Sequence, residues 1–283
     1  MVTRACLTLG LPRTALGVCA TPNGLVWGRI QWDANAPMTL AERLIPDPTR
    51  VAHLTSPAAW VLVVEKHAVY QTLRSIGFLD LGPRYGVDAP GALVTGKGYP
   101  DQATRSLLQR WAGLPHAPQL FFLMDADPHG VDIIRTYMKA LEGVDAHWIG
   151  LHVRQWLALR ARDAFPTLML KAGDRSKAQH LLNDAKLPER LRHELAQQLH
   201  AGYKCELEVL CTSPADASGV LAEFVYAHIR AYLPSCGASH GTRSQPRPSP
   251  ASRRRAHPSG DGGSPSGGSR RCTPRRAPGP AEG

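Results

Sequence analysis

Apolar residues along this chain come in short runs whose period changes with position. Residues 16–21 and 25–32 are strand-like runs on either side of Pro22-Asn23-Gly24. Asn-Gly between two apolar runs predicts a β-hairpin. Residues 33–57 are proline-rich and read as a connector. From Trp60 onward, strands and helices alternate. Residues 60–64, 92–95, 120–124 and 147–151 read as strands. Between them, residues 67–76, 101–111 and 131–141 carry helical spacing, with Gly77, Gly113, Pro100 and Gly130 as boundary signals. Three consecutive βα units predict an α/β fold with a mostly parallel sheet flanked by helices. Beyond residue 174 the chain reads as helical, over 175–185, 188–201, 206–211 and 215–233.

Composition changes this picture only at the C-terminus. More than half of residues 236–283 are Gly, Pro or Ser, and none is Val, Ile, Leu, Met, Phe, Trp or Tyr. Such a segment buries too little apolar surface to offset its conformational entropy, so a disordered tail is expected. It holds nine arginines against Asp261 and Glu282, which places +7 of the net charge of +10 there. The pI of the whole chain therefore says little about the folded part. A solvated linker and a non-specific nucleic-acid or nuclear-import tail are both open readings of the segment. No stretch approaches the ~20 apolar residues of a membrane span, and no membrane partner is expected. The six cysteines form no CxxC pair, which argues against a zinc knuckle or a disulfide framework and suggests reduced thiols in an intracellular protein.

In a parallel sheet, ligands gather at the carboxyl ends of the strands. Glu65 follows the first strand of the alternating region, and Asp125 and Asp127 follow the third. Any one of these alone would ordinarily be a cap or a turn residue. Together they are unfavourable neighbours, because two carboxylates ~4 Å apart repel by roughly 4 kcal/mol at an effective dielectric near 20. A cation would join them, and hard carboxylate oxygens with no cysteine nearby suit Mg²⁺ rather than Zn²⁺. Both aspartates can face one site if Ala126 points away.

Gly96-Lys97-Gly98-Tyr99-Pro100-Asp101 lies between the second strand and a helix. Glycines there let backbone N–H groups approach a phosphate, and Lys97 supplies a full charge, with Arg105 one turn on. Residues 91–98 nearly match a nucleotide P-loop. The match fails where Gly98 replaces the Ser/Thr, and its middle reads as strand, so a DNA phosphate contact is the preferred reading. His129, beside Asp127, is a candidate phosphate contact or simply a polar loop residue.

The motifs Val64-Glu65-Lys66-His67-Ala68, Thr95-Gly96-Lys97-Gly98-Tyr99-Pro100-Asp101 and Asp125-Ala126-Asp127-Pro128-His129-Gly130 occur in that order. With Trp148–Leu151 and Lys204–Glu208, they resemble the A-type component of topoisomerase VI and its eukaryotic relative, the meiotic double-strand-break protein. The resemblance covers residues 5–233. It implies a toprim domain over 58–234 with a helical C-terminal region, in which Glu65, Asp125 and Asp127 bind Mg²⁺. It implies that residues 1–45 are the last part of a winged-helix domain. It further implies double-stranded DNA as substrate, action as a homodimer or with a full-length relative, a possible ATPase B-type subunit, and the nucleus as location. The family's nucleophile is a tyrosine on the winged helix, which attacks a phosphodiester and becomes joined to a 5′ end. No tyrosine precedes Tyr70, and Tyr70 and Tyr99 lie inside toprim elements. The expectation is thus a chain that starts inside the winged-helix domain, with no catalytic nucleophile of its own. Rival readings are a non-catalytic DNA-binding or dimerisation module and a toprim nuclease or primase. The resemblance implies Mg²⁺-dependent double-strand cleavage by transesterification in the initiation of meiotic recombination, with a decatenating role left open.

Overall fold

A computed structural model describes residues 8–10, 21–35, 37–162, 168–211 and 217–233. The tail at 236–283 and most of the run at 16–21 lie outside the described residues. Eight strands are described: β1 (Leu25–Arg29), β2 (Leu40–Leu44), β3 (Trp60–Val64), β4 (Gly91–Thr95), β5 (Gln119–Leu123), β6 (Ala146–Gly150), β7 (Leu168–Met169) and β8 (Tyr203–Lys204). The helices are α1 (His67–Ser75), α2 (Gln102–Ala112), α3 (Pro128–Ala140), α4 (Val153–Arg162), α5 (Ala172–Leu182), α6 (Glu189–Ala201) and α7 (Ala217–Tyr232).

β1 to β6 form one sheet in the order β2-β1-β4-β3-β5-β6. β4, β3, β5 and β6 are mutually parallel, while β1 runs antiparallel to β4 and β2. β3 lies between two parallel neighbours and all five of its residues are buried. Val61 and Val63 pack on the face covered by α2, α3, α5 and α6. Trp60, Leu62 and Val64 pack on the opposite face, against α1, α4 and α7. Full burial of a side chain of this size contributes roughly 1.5–3 kcal/mol, so the uninterrupted apolar run is what a strand sandwiched between helical layers requires.

The hairpin ahead of β3 differs from the sequence expectation. β1 pairs with β2 over Leu25–Arg29 and Leu40–Leu44, inside the segment read as a connector. Over Leu25–Trp27 its other side is taken by β4, while most of the run at 16–21 lies outside the described residues. Asn23-Gly24 does a different job. The N–H groups of Asn23 and Gly24 donate to Asp101 Oδ2 at 2.6 and 3.4 Å. A Cβ on Gly24 would lie 2.1 Å from Thr104 Oγ1. Glycine here allows the chain to close on the N-terminus of α2. β2 escaped the sequence reading because Leu-Ala-Glu-Arg-Leu is a half-exposed edge strand with two charges and no β-branched residue. Helix α4 and the small β7–β8 pair were not expected either.

Candidate metal centre

The three acids meet at the carboxyl ends of β3 and β5. Each is tethered by a backbone N–H through one oxygen. The N–H of Asp125 donates to Glu65 Oε2 at 2.9 Å. The N–H of Leu207 donates to Asp125 Oδ1 at 2.8 Å. The N–H of Gly130 donates to Asp127 Oδ1 at 2.7 Å, which makes Asp127 the N-cap of α3. One oxygen of each carboxylate therefore fixes its direction, while Lys66 reaches the second oxygen of Asp125 and Lys204 approaches that of Asp127. All three acids are buried, at 8%, 4% and 8% exposure for Glu65, Asp125 and Asp127. Ala126 is fully buried between the two aspartates, as the Asp-x-Asp spacing requires.

Two ammonium groups face this set. Lys66 Nζ lies 3.2 Å from Asp125 Oδ2, and also 3.0 Å from Glu206 and 2.7 Å from Glu208. Lys204 Nζ lies 4.0 Å from Asp127 Oδ2 and 3.3 Å from Asp174. Burial, together with the charge of Asp125, pushes the Glu65 carboxyl well above its ordinary range. Burial also raises Asp125, against the opposing pull of Lys66. Burial works against the charged form of Lys66 too, but its hydrogen bond to Glu208 and the nearby acids hold its pKa above the usual value.

The segment Lys204–Glu208 completes the site from afar in sequence, with Leu207 lying 82 residues from Asp125. Ala126 and Cys205 exchange backbone hydrogen bonds at 2.9 and 3.2 Å. That single antiparallel bridge places Lys204 beside Asp127 and aims the N–H of Leu207 at Asp125. It also brings Glu206 and Glu208 to Lys66. Sequence reading marked the segment by its resemblance but gave it no role, because no local pattern encodes a bridge between a loop and a distant strand end.

The same bridge corrects the expectation that no cysteine lies near. Cys205 is buried next to Asp125. Burial and then the charge of Asp125 push its thiol up to about 12, and the thiol donates to the Glu206 carbonyl at 3.7 Å. The donor set that remains is carboxylate oxygen, which suits Mg²⁺. Among the described residues no three His, Cys, Asp or Glu side chains close on one point as a finished cage. The fit to a cation rests on the second oxygens of the three tethered acids, of which that of Asp125 is ion-paired with Lys66.

The Gly96–Asp101 loop packs against Glu65 from the other side. The N–H of Gly98 donates to the Glu65 carbonyl at 2.9 Å. Lys97 adopts a left-handed φ of 56°, and its N–H donates to Thr95 Oγ1 at 3.0 Å. Its ammonium is in no ion pair among the described residues. Arg105 is half-buried on α2, and its Nε donates to the Asp101 carbonyl at 3.3 Å. Asp101 itself caps α2 through Thr104 N–H at 2.7 Å. Burial works against ionisation of this acid, but donors from Thr104, Asn23 and Gly24 hold its carboxyl below the usual range. Tyr99 donates its hydroxyl to Asp132 at 2.9 Å, which ties the loop to α3. β4 is strand from Gly91 to Thr95, so the near-match to a P-loop has no loop in its middle. His129 is exposed at the start of α3, near Asp174. Among the described residues no helix is long and apolar enough to cross a membrane.

A parallel α/β sheet with an acid after one strand and an Asp-x-Asp after its neighbour defines a toprim-type domain. The profile of the toprim domain shared by Spo11 and the A-type component of topoisomerase 6 matches residues 60–224, and the chain belongs to that family. A meiotic recombination protein of Drosophila melanogaster is 30% identical over 226 residues, covering 72% of this chain and 63% of that protein. Meiotic recombination protein rec12 of Schizosaccharomyces pombe is 38% identical over 133 residues, 46% of this chain and 35% of its own. The Mus musculus meiotic recombination protein SPO11 is 32% identical over 164 residues, 55% and 40% of the two chains. The chain thus spans between about a third and just under two thirds of the length of these relatives.

Proposed function

We infer that this chain supplies the metal-binding half of an Mg²⁺-dependent site that breaks double-stranded DNA by transesterification, in the initiation of meiotic recombination. The observation that carries the reading is the arrangement of Glu65, Asp125 and Asp127, each with one oxygen held by a backbone N–H and the other outside that tether. The names of the relatives support the meiotic context and, with it, the nucleus as location.

In this reading the second oxygens of the three acids would hold Mg²⁺, with Lys66 giving way at Asp125. The bound cation supplies positive charge against the charge that develops on the phosphate. Lys97 and Arg105 grip phosphates of the same strand. Lys66 and Lys204 balance the acids until the cation enters. The attacking group is a tyrosine hydroxyl from an upstream winged-helix domain, carried by a dimer partner. Its oxygen bonds to phosphorus as its proton is lost, and the 3′ oxygen departs with the bonding pair and takes up a proton to become a hydroxyl, so no water is consumed. Three of the seven tyrosines are held within the fold: Tyr137 is buried beneath Gly96, Tyr226 donates to the Phe78 carbonyl, and Tyr99 donates to Asp132. An ATPase B-type subunit is compatible with this scheme and is not required by it.

The test mixes this chain with a full-length relative whose own acidic triad is replaced by alanines. The mixture should nick duplex DNA and leave one 5′ end attached to the relative's tyrosine. Asp127→Ala in this chain should abolish the adduct. Free ends without adduct would instead indicate a hydrolytic nuclease, and adduct formation on this chain alone would contradict the reading.

A further inference from the structure

A cavity of about 660 Å³ lies between the N-terminal ends of α3 and α5, beside the acid site. The lining side chains that matter are His129, Lys171, Asp174, Ser176, Lys177 and His180. All but Asp174 can donate a hydrogen bond. The acids at its border are already neutralised from within the protein. Asp174 is held by Lys204 at 3.3 Å. Asp132 is held by Lys177 at 2.5 Å and by Arg135 at 2.8 Å. An anion entering the cavity therefore meets no uncompensated carboxylate. It meets the ammonium of Lys171, which is in no ion pair among the described residues, the imidazoles of His129 and His180, and the hydroxyl of Ser176. These four side chains are exposed at the surface.

Two ion pairs connect the cavity to the rest of the site. Lys204, which holds Asp174, also reaches Asp127 at 4.0 Å. Lys177, which holds Asp132, lies 5.9 Å from the centroid of the Tyr99 ring in the Gly96–Asp101 loop, and the Tyr99 hydroxyl bonds the same Asp132. The cavity thus adjoins the acids through Lys204 and the Gly96–Asp101 loop through Lys177.

We propose that this cavity is a phosphate subsite, in which Lys171, His129, His180 and Ser176 hold a DNA backbone phosphate flanking the one that is cut. The proposal rests on the reading of the acids as a DNA-cleaving centre. Asp174 and Asp132 act as positioning residues: they fix Lys204 and Lys177 at the cavity wall and contribute no contact to the ligand. The phosphodiester is the ligand chemistry, and DNA its source.

The test measures binding of a fluorescent duplex to the full chain in chelator, by anisotropy across a range of salt concentrations. Each phosphate contact contributes about 0.9 to the log–log salt slope on duplex DNA. The double variant Lys171→Ala/His180→Ala should lower the slope by about 1 and weaken binding alike across unrelated sequences. Lys171→Arg with His180 intact should keep it. Both positions are exposed, so the variants should fold, and unchanged thermal melting would confirm that. A second arm titrates inorganic phosphate into the unaltered chain. Phosphate binding that the double variant loses, with an unchanged duplex slope, would mean a site for a small phosphate and would overturn the proposal. An unchanged slope without phosphate binding would overturn it as well. In both cases the reading of the chain as one that acts on DNA would stand, since the unaltered chain would still bind duplex. A chain that bound no duplex at all would remove both.

Discussion

The backbone N–H of Asp125 donates to Glu65 Oε2 at 2.9 Å, so one member of the acidic set orients another without either carboxylate being shared. The bond needs an acceptor and no charge. Glu65→Gln keeps the acceptor and removes the desolvated charge. In chelator, Glu65→Gln should melt at the temperature of the unaltered protein or above it. In Mg²⁺ it should lose the stabilisation that the unaltered protein gains. A large loss of stability in chelator would show that the charge itself is structural.

Acidity follows from the same burial. Glu65 is pushed up to about 8 and Asp125 to about 7, while both sit near 4 in an unfolded chain. A folded-state pKa raised above the unfolded one gives stability that is fully present below the unfolded value and lost as pH rises through the folded value. Metal-free stability should therefore fall between about pH 4 and pH 8 and flatten above. Mg²⁺ affinity should rise over the upper part of that window, since the cation competes with protons. Thermal melts at several pH values, with chelator and with Mg²⁺, check both slopes. A flat or rising chelator curve would count against the buried acids.

Gly130 is required by close approach. A Cβ there would lie 2.3 Å from the Asp125 carbonyl oxygen. Both partners are backbone, so neither can yield without moving α3 or the Asp-x-Asp turn. Gly130→Ala should cost roughly 1–3 kcal/mol, the usual range for an overpacked site, and should reduce metal affinity. Urea unfolding would show the first effect and calorimetry the second. A variant of native stability and affinity would mean the turn is more pliable than its packing indicates.

The tail at 236–283 carries +7 and should add sequence-independent affinity for DNA. If about six of its arginines meet phosphates, its deletion should reduce the salt slope on duplex DNA by roughly 5. An unchanged slope would make the segment a linker only.

Much of the site could be read from sequence because its parts sit at strand ends. β3, β4 and β5 are apolar runs with no competing period, and Glu65, Asp125 and Asp127 follow them directly. What escaped was set by tertiary contact. Asn23-Gly24 carries a strong hairpin signal, yet its N–H groups go to Asp101, and β1 finds its partners in β2 and β4. Lys204, Cys205 and Leu207 join the site through one backbone bridge to Ala126, which has no periodic signature. The ionic partners of Lys66 were hidden for the same reason, since Glu206 and Glu208 are 140 and 142 residues away.

The central claim, that Glu65, Asp125 and Asp127 together hold one divalent cation, is tested most directly by isothermal titration of Mg²⁺ at a pH above 8. Asp125 is the informative position, because it joins Glu65 through its N–H and Lys66 through its carboxylate. The unaltered chain should show saturable binding with a stoichiometry near one per chain. Asp125→Ala should show none over the same concentration range, while its circular dichroism remains that of a folded α/β protein. Equal Mg²⁺ binding by the folded Asp125→Ala variant and the unaltered chain would contradict the assignment of the three acids as a metal centre.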